Sequence, residues 1–363
     1  MTLNTANAPS AGIAGRNSYL AILEDAWQAH LAPRATDVPT VISTFAGAGG
    51  SSLGYSMAGY RELLAVEWDD NAVETFKLNF PGVPVYHGDI AKLTVEEALA
   101  MAGIAPGELD VLDGSPPCQG FSTAGKRVMD DPRNQLFKGY VRLLRGLRPK
   151  VFVMENVSGM VKGKMKLIFV DILRELKASG YHVKVAKLNA MYFHVPQSRE
   201  RMIFIGTQDD LGIEPSYPVG QNRPITAGEA IKECPVILEA PAWREFNLKL
   251  WQQQKPGDNG INGKYFNHVR MDFSKPSPTV PKSTVFGGFA GLSHDTSPRS
   301  LNLGELKRLG SFPDGFRFIG SFEDGLNRIG NSVPPLFMRA IADHIRRTIL
   351  DTAANASLGM QVA

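Results

Sequence analysis

Cysteine is scarce in this chain, since Cys118 and Cys234 are the only two among 363 residues. Two thiols exclude a disulfide framework and a zinc site built from cysteines. Apolar runs are short as well, and none approaches the ~18 residues of a membrane span. Residues 1–10 lack the basic start and apolar stretch of a secretion signal. We therefore expect a cytoplasmic protein without membrane contact, whose thiols stay reduced.

Charge of one sign is not in excess either. The 39 Lys and Arg residues against 36 Asp and Glu leave a formal net charge of +3. This balance permits a polyanionic partner, but any basic binding surface would have to be local. Hydrophobic residues make up 43% of the chain and charged residues 21%, which excludes general disorder. The length predicts about two domains.

Strand-like and helix-like segments alternate from residue 40 onward. Strands are predicted at residues 41–45, 62–67, 110–112, 151–154, 181–188 and 201–206. Helices are predicted at residues 51–59, 71–79, 135–147, 167–177 and 336–350. This alternation predicts an α/β fold, in which helices cover both faces of a parallel sheet.

Four parts of the chain differ in pattern. Residues 1–38 form an N-terminal extension with a short helix, because apolar residues recur there at helical spacing. Residues 39–206 carry the alternation and form the α/β domain. Residues 207–325 are irregular, which predicts a smaller domain of loops and strands. Residues 326–363 contain the last helix and are expected to return to the α/β domain.

A glycine-rich turn follows the first predicted strand, with Gly47, Gly49 and Gly50 in succession. Glycines at such a turn let the backbone approach a ligand closely. The spacing is not the dinucleotide fingerprint, because Ser52 stands where a third glycine is required; a nicotinamide enzyme is therefore disfavoured. Acidic and aromatic residues follow at strand ends: Phe45, Glu67, Trp68 and Asp89. Together they indicate an adenosine pocket without a phosphate cradle, which S-adenosylmethionine fits.

The predicted strand at residues 110–112 runs into the turn Ser115-Pro116-Pro117-Cys118-Gln119. Two prolines restrict the backbone in front of Cys118. A buried structural cysteine is the usual alternative, but a polar, rigid turn favours an exposed nucleophile. The next strand ends in Glu155, a carboxyl that can exchange a proton. Arg199 and Arg201 bring two guanidiniums to the same edge.

Five motifs, in this order, resemble those of the DNA (cytosine-5)-methyltransferase family. They are Phe45-Ala-Gly-Ala-Gly-Gly50, Pro116-Pro-Cys118-Gln119, Glu155-Asn-Val157, Gln197-x-Arg199-x-Arg201 and Gly330-Asn331-Ser332-Val-Pro-Pro335. The resemblance covers residues 40–350. It implies a class I S-adenosylmethionine-dependent methyltransferase: a Rossmann-like domain with a mostly parallel seven-stranded sheet, and a smaller target-recognition domain.

The resemblance also implies a mechanism. Cys118 attacks carbon-6 of a cytosine flipped out of a short, specific double-stranded DNA sequence, and Glu155 assists at N3. Carbon-5 takes a methyl group from S-adenosylmethionine, with Gln119, Arg199 and Arg201 at the same centre. The implied cofactor contacts are Phe45, Ala46, Gly47, Gly49, Gly50, Glu67, Trp68, Asp89, Ile90, Pro116, Asn331 and Ser332. No metal is implied.

The implied partner is double-stranded DNA, bound by a monomer at the nucleoid of a bacterium or a phage host. The sequence leaves open whether a companion restriction endonuclease is encoded nearby, in a restriction-modification system, or whether the enzyme acts alone. We expect base contacts from residues 257–264, with Asn259 and Asn262, and from residues 284–294. Phosphates are expected to face three basic residues: Lys126, Arg127 and Arg133.

Some positions depart from the family pattern. Ser43-Thr44 replace the usual Asp-Leu, which predicts a change in a minor cofactor or loop contact. Asn302 replaces the usual Thr, and Gly304 and Gly310 replace the usual Arg and Gln. The smaller domain is therefore expected to dock differently in detail.

An RNA-directed member of the family is the nearest alternative. Such relatives continue differently after Pro-Cys-Gln and carry a late Cys-Phe-Thr element, whereas this chain continues with Gly120-Phe121-Ser122 and has only two cysteines. DNA is therefore preferred. A catalytically inactive DNA-binding homologue is disfavoured because Cys118, Glu155 and Arg201 are intact. A general nucleotide-binding protein would leave residues 116–119 unexplained.

Overall fold

The computed structural model describes residues 18–117, 132–161, 165–261, 264–284, 289 and 291–362. Its main sheet has seven strands: β1 (Thr40–Thr44), β2 (Arg61–Glu67), β3 (Val85–His87), β4 (Val111–Gly114), β5 (Val151–Val157), β6 (Tyr181–Asn189) and β7 (Glu200–Gln208). The strand order is β3-β2-β1-β4-β5-β7-β6. Strands β1 to β5 pair in parallel, whereas β7 is antiparallel to both β5 and β6. The predicted α/β fold with a mostly parallel seven-stranded sheet is confirmed.

Twelve α-helices are found in the part of the chain that the structure describes. They are α1 (Ser18–Leu31), α2 (Gly50–Met57), α3 (Asp70–Asn79), α4 (Val95–Ala102), α5 (Pro132–Leu147), α6 (Met165–Lys177), α7 (Ala227–Ile231), α8 (Glu245–Gln253), α9 (Leu303–Leu309), α10 (Phe322–Asn331), α11 (Pro335–Ile345) and α12 (Asp351–Val362). A small sheet joins β8 (Asn259–Ile261), β9 (Lys264–Arg270) and β10 (Leu292–Ser293) in the order β10-β9-β8.

Alternating side chains of the central strands enter two different hydrophobic clusters. In β5, Val151 and Val153 belong to one cluster, whereas Phe152 and Met154 belong to the other. Successive residues of a strand point to opposite faces, so the sheet is buried on both sides, as the continuous apolar runs predict.

Two predicted elements have different ends in the structure. The predicted strand 151–154 continues to Val157, because β7 pairs with it as far as the partners Val157 and Arg201. The last helix is longer than predicted: a π-helical turn (Arg346–Leu350) joins α11 to α12. Its apolar stripe packs on α2, where a Cβ on Gly54 would lie 2.6 Å from the Cβ of Met338. The predicted domain boundaries stay predictions.

No helix in the described ranges has both the length and the apolar character required to cross a lipid bilayer.

Candidate active site

The neighbouring strands β1 and β4 end at the same edge of the sheet. Thr44, the last residue of β1, pairs with Gly114, the last residue of β4. From β1 the chain crosses to β2 on one side, while β4 lies on the other side. In open α/β sheets a crevice forms where the strand order reverses in this way, and ligands bind there. The glycine-rich turn and the Pro116-Pro117 turn both start at this crevice.

The glycine-rich turn depends on its glycines at specific positions. Gly49 caps the N-terminus of α2 with φ at 95°, a conformation that favours glycine. A Cβ on Gly50 would lie 2.6 Å from the carbonyl oxygen of Val333, so this position requires the close approach that only glycine allows. On Gly47, with φ at 55°, a Cβ would meet no atom of the described residues within 4 Å. This side of the turn is open to a ligand.

Glu67 ends β2 directly beside this turn. Its Oε2 accepts a hydrogen bond from the backbone N–H of Gly47 at 2.8 Å, and its Oε1 accepts from those of Trp68 and Asp69 at 2.8 and 3.0 Å. The carboxylate is therefore held in one orientation, while the Trp68 side chain beside it is 76% exposed. Together they present an anchored carboxylate and a free aromatic face.

The other predicted cofactor residues lie around the same edge with different exposures. Asp89 is exposed and accepts a hydrogen bond from the backbone N–H of Ala91 at 2.9 Å. The side chain of Ile90 is buried in the core. Asn331 is exposed and donates to Asn327 at 2.9 Å. Ser332 donates to the carbonyl oxygen of Arg328 at 2.7 Å, and it lies beside Gly50.

Asp69 and Arg328 were missed by the sequence analysis. Asp69 caps α3 by accepting from the backbone N–H of Ala72, and Arg328 of α10 bonds its carboxylate through both Nη atoms, at 3.1 Å each. This pair ties the Gly330-Asn331-Ser332 motif to the start of α3. The position of an acid just before a helix predicts the cap, but a partner 259 residues away leaves no local signal.

The part of the sheet predicted to carry the catalysis, called the catalytic edge below, is formed by β5 and β7 with the side chains of Glu155 and Arg201. Arg201 Nε lies 2.6 Å from Glu155 Oε1, with the two side chains 14% and 13% exposed. Since β5 and β7 are hydrogen-bonded neighbours, the sheet itself holds the carboxylate and the guanidinium together. A charge-assisted hydrogen bond of this kind is short and directional.

Arg199 occupies a different environment from Arg201. It is 3% exposed, and its Nη2 donates to the carbonyl oxygen of Gly330 at 2.9 Å. Burial, together with the nearby Arg201 guanidinium, lowers the pKa of Arg199 to about 9. Within the described part of the chain its Nε has no hydrogen-bond partner. Arg199 therefore links β7 to the segment that carries Asn331.

Asn156 connects the catalytic edge to the turn that leads to Cys118. Its Nδ2 donates to the carbonyl oxygen of the buried Pro116 at 3.0 Å. The predicted site residues Cys118 and Gln119 lie outside the described residues, as do Lys126 and Arg127 and the side chain of Arg133.

Comparison with known proteins resolves which kind of site this is. The family description "C-5 cytosine-specific DNA methylase" matches residues 39–347. The chain belongs to this family. The methylase therefore transfers the methyl group of S-adenosylmethionine to carbon-5 of cytosine in DNA, and the predicted family, activity and cofactor are confirmed.

Known proteins resemble this chain in sequence or in structure over most of its length. The Type II methyltransferase M1.HphI of Haemophilus parahaemolyticus is 36% identical, over 84% of this chain and 86% of its own. The Type II methyltransferase M.XorII of Xanthomonas oryzae pv. oryzae is 32% identical, over 86% and 85%. Among solved structures, a prophage-encoded E. coli protein described as a DNA modification methyltransferase has a TM-score of 0.72 at 24% identity, covering 86% of this chain and 99% of its own. A Spodoptera frugiperda DNMT2 structure has a TM-score of 0.62 at 19% identity, covering 83% and 97%. These two structures show the fold.

The cofactor edge of the methylase suits S-adenosylmethionine chemically. The open side of Gly47, the anchored Glu67 carboxylate and the exposed Trp68 ring offer backbone contact, a ribose-hydroxyl acceptor and a stacking face. The nearby Arg328 is neutralised by Asp69, in keeping with a ligand that has no phosphate.

Two buried carboxyls lie under the glycine-rich turn. Ser51, in the first turn of α2, donates to Asp113 Oδ2 at 2.6 Å. Ser43, where the family usually has Asp, donates to Glu62 Oε2 at 3.1 Å. The buried acid of the methylase thus comes from β2, which accounts for this departure from the family pattern. Burial raises the pKa of Glu62 to about 8 and that of Asp113 to about 7. The charge of Asp113 adds to the shift of Glu62, and the charge of Glu155 adds to that of Asp113.

The substitution Glu62→Gln is expected to flatten the fall in stability between about pH 6.5 and pH 8.5. The folded pKa of Glu62, about 8, lies above the ordinary value of 4.5. Its contribution is therefore full below 4.5 and is lost as the pH rises through 8. Over the stated interval this loss amounts to about 2 kcal/mol of unfolding free energy in the wild type.

Denaturant unfolding at the two pH values measures this difference. Glu96→Gln, in the exposed first turn of α4, is the matched control and should keep the wild-type slope. A Glu62→Gln protein with the same pH dependence as wild type would contradict the assignment.

Gln197 joins the catalytic edge to the region predicted to form the smaller domain. This side chain is 1% exposed, accepts from the backbone N–H of Val280 at 3.1 Å and donates to the carbonyl oxygen of Leu309 at 3.1 Å. Ser198 adds a backbone hydrogen bond to Ser277 at 2.8 Å. The first two residues of the Gln-x-Arg-x-Arg motif therefore hold the segments around Ser277, Val280 and Leu309 next to β7.

The expected base-contacting stretches differ in exposure. Asn259 is exposed on β8, while Asn262 lies outside the described residues. In the stretch 284–294, Phe289 is fully buried and stacks on His268 at a centroid distance of 3.9 Å, and Leu292 is buried in β10. The described middle of this stretch is therefore core and does not face solvent.

Contacts around α9 explain two of the departures from the family pattern, Asn302 and Gly304. Asn302 caps this helix by accepting from the backbone N–H of Glu305 at 3.1 Å, in a reciprocal capping box, so it performs the function that Thr would. A Cβ on Gly304 would lie 2.3 Å from the carbonyl oxygen of Pro235. The segment around Pro235 therefore docks more closely on α9 than any larger residue at position 304 would permit.

Proposed function

We propose that Cys118, Glu155 and Arg201 carry the methylation of one cytosine flipped out of a short, specific DNA sequence. The supporting observation is the 2.6 Å pair between Glu155 and Arg201, on the strand whose Asn156 holds the turn that leads to Cys118. A cytosine inside a duplex cannot reach such an edge, so the base must leave the stack.

In this mechanism the Cys118 thiolate forms a bond to carbon-6, and the electron pair of the 5,6 double bond moves towards carbon-5 and N3. Glu155 hydrogen-bonds N3 and the exocyclic amine, which stabilises the charge that the attack creates. Arg201 orients the Glu155 carboxyl. Once carbon-5 carries the methyl group, a base removes the carbon-5 proton, and the Cys118 sulfur leaves carbon-6 as the double bond reforms.

S-adenosylmethionine, when bound, supplies an electrophilic methyl group for carbon-5. The residues proposed to hold it lie on the cofactor edge: Glu67 at the ribose hydroxyls, Asp89 at the adenine amine, Phe45 and Trp68 at the ring, and the backbone of the glycine-rich turn at the remainder. Arg199, which is buried against Gly330, is proposed to position the Asn331 segment.

The methylase is further proposed to act as a monomer at the nucleoid and to belong to a restriction-modification system with a companion endonuclease. The support is that the bacterial relatives are named Type II methyltransferases and that one structural neighbour is encoded within a prophage. Base contacts are proposed for the exposed part of the smaller domain around Asn259.

Transfer of labelled methyl groups tests this proposal. The purified protein should label genomic duplex DNA and leave total RNA unlabelled, and bisulfite mapping should place every product cytosine in one short sequence. DNA already methylated at carbon-5 of those cytosines is the control and should accept no label. Labelling of RNA alone, or of cytosines without a shared sequence, would contradict it.

A further inference from the structure

The N-terminal helix α1 lies before the part of the chain that matches the family, which starts at residue 39. It is nevertheless bonded to the elements that carry the cofactor turn. His30 Nδ1 lies 2.8 Å from Ser56 Oγ, near the C-terminal end of α2. Arg34 lies just after α1. Its Nη2 donates to the carbonyl oxygen of Ser56 at 2.5 Å and to the Oγ of Ser56 at 3.0 Å. Two residues from outside the family region thus converge on one serine of α2.

The protonation of this cluster follows from its partners. His30 Nε2 lies 3.2 Å from the carbonyl oxygen of Asn79, which can only accept a hydrogen bond, so Nε2 carries the proton. His30 Nδ1 then accepts from the Ser56 hydroxyl, and the Ser56 oxygen accepts from Arg34. Each polar atom has a complementary partner, which specifies one arrangement of α1 on α2.

A second path runs from His30 to the glycine-rich turn itself. The His30 ring packs edge-on against Phe80, with centroids 5.2 Å apart. On its other side Phe80 lies directly behind Gly49, where a Cβ would be 2.4 Å from the Phe80 ring. Phe80 is 5% exposed and stacks on Phe76. The back of the cofactor turn is therefore packed on a ring that α1 supports.

The other end of α1 is attached to a different part of the molecule. The buried Tyr19 hydroxyl donates to the carbonyl oxygen of Arg308 in α9. In the half of α1 that carries His30, Trp27 lies against Gly315, where a Cβ would be 2.4 Å from Trp27 Nε1. Helix α1 therefore contacts α9 and the segment that follows it, and it also contacts the C-terminal end of α2.

We infer that α1 and Arg34 form an N-terminal clasp that sets the position of the glycine-rich turn, so that His30 and Arg34 are positioning residues for S-adenosylmethionine binding. This inference rests on the proposed cofactor site. At the near end of α2 the turn is fixed by Ser51 on Asp113, and at the far end by the clasp on Ser56. A turn held from both ends is preorganised, and small displacements of such a turn reduce affinity.

The clasp is tested by measuring the dissociation constant of S-adenosylmethionine for the full-length protein carrying His30→Ala, Arg34→Ala or Ser56→Ala. Each variant should bind about two- to tenfold more weakly, as expected for the loss of one or two hydrogen bonds. The effects of His30→Ala and Ser56→Ala should be less than additive, because both remove the same bond. The kcat at saturating cofactor and the KM for DNA should stay within about twofold of wild type, a split that general destabilisation would not produce.

Tyr19→Phe is the matched control, since it removes a hydrogen bond of the same helix that goes to Arg308 of α9 and not to Ser56. It should lower the melting temperature and leave the dissociation constant unchanged. If His30→Ala fails to fold, Arg34→Ala at a partly exposed site carries the same test. Unchanged affinity in the folded clasp variants, or an equal loss in Tyr19→Phe, would overturn the inference.

Glu67→Ala separates this inference from the proposed cofactor site. Loss of binding in Glu67→Ala with normal binding in the clasp variants would reject the clasp alone. Normal binding in Glu67→Ala would reject the proposed cofactor site, and the clasp with it.

Discussion

Cys118→Ser is expected to reduce methyl transfer below detection while the affinity for DNA stays within about twofold of wild type. A thiolate is available near neutral pH, whereas a serine hydroxyl needs an adjacent general base to become a comparable nucleophile. The turn before residue 118 is held by the bond from Asn156 to Pro116, and the substitution exchanges only a sulfur for an oxygen. Single-turnover transfer of labelled methyl groups and a DNA-binding titration measure the two quantities.

Cys234→Ser provides the matched control for the loss of a thiol. Cys234 is partly buried, and a Cβ on Gly304 would lie 3.3 Å from its Sγ. Burial raises the pKa of Cys234 to about 12, so this thiol is protonated at neutral pH and is a poor nucleophile. Cys234→Ser should keep its turnover. Methylation by Cys118→Ser at a measurable fraction of the wild-type rate would exclude the covalent mechanism.

Glu155→Gln is expected to lower kcat by about 10²- to 10⁴-fold, the range for one general acid–base partner. Gln keeps an oxygen that can accept from Arg201 Nε, so the geometry of the edge should survive while the exchangeable proton is lost. The KM for DNA should change little, because the carboxyl acts at the reacting base. Steady-state kinetics at saturating cofactor, with melting temperature as a check on folding, give the answer.

Glu200→Gln, on the neighbouring strand β7, is the corresponding control. Glu200 precedes Arg201 and forms an exposed ion pair with Lys187 at 2.8 Å. Its neutralisation changes the charge of the same edge by the same amount but removes no group from the site, so kcat should stay near wild type. Equal losses in the two variants would show that Glu155 acts through local charge only.

The position of a site residue could be predicted from the sequence where that residue stands at the end of a single predicted strand. Glu67 and Glu155 each follow a buried apolar run, and parallel strand ends converge at one edge, so their placement could be inferred from spacing. The antiparallel insertion of β7 between β5 and β6 has no comparable signal. That insertion places Arg201 beside Glu155.

Residues that act through distant partners were not predictable in the same way. Arg199 and Arg201 belong to one short motif, yet one is buried on Gly330 and the other pairs with Glu155. The clasp was expected only as a short helix, because its apolar spacing indicates packing and says nothing about which helix it packs on. Glu62 gives no sign in the sequence that it will be buried beside Ser43.

The reversed direction of β7 has a mechanical consequence. Glu155 and Arg201 sit on strands joined by a continuous ladder of backbone hydrogen bonds, so the backbone positions that carry the two charges cannot separate unless the ladder is broken. Motion during a catalytic cycle is therefore restricted to parts of the chain outside this ladder. The flipped cytosine must therefore move to Glu155, because the strand that carries Glu155 does not move towards the cytosine.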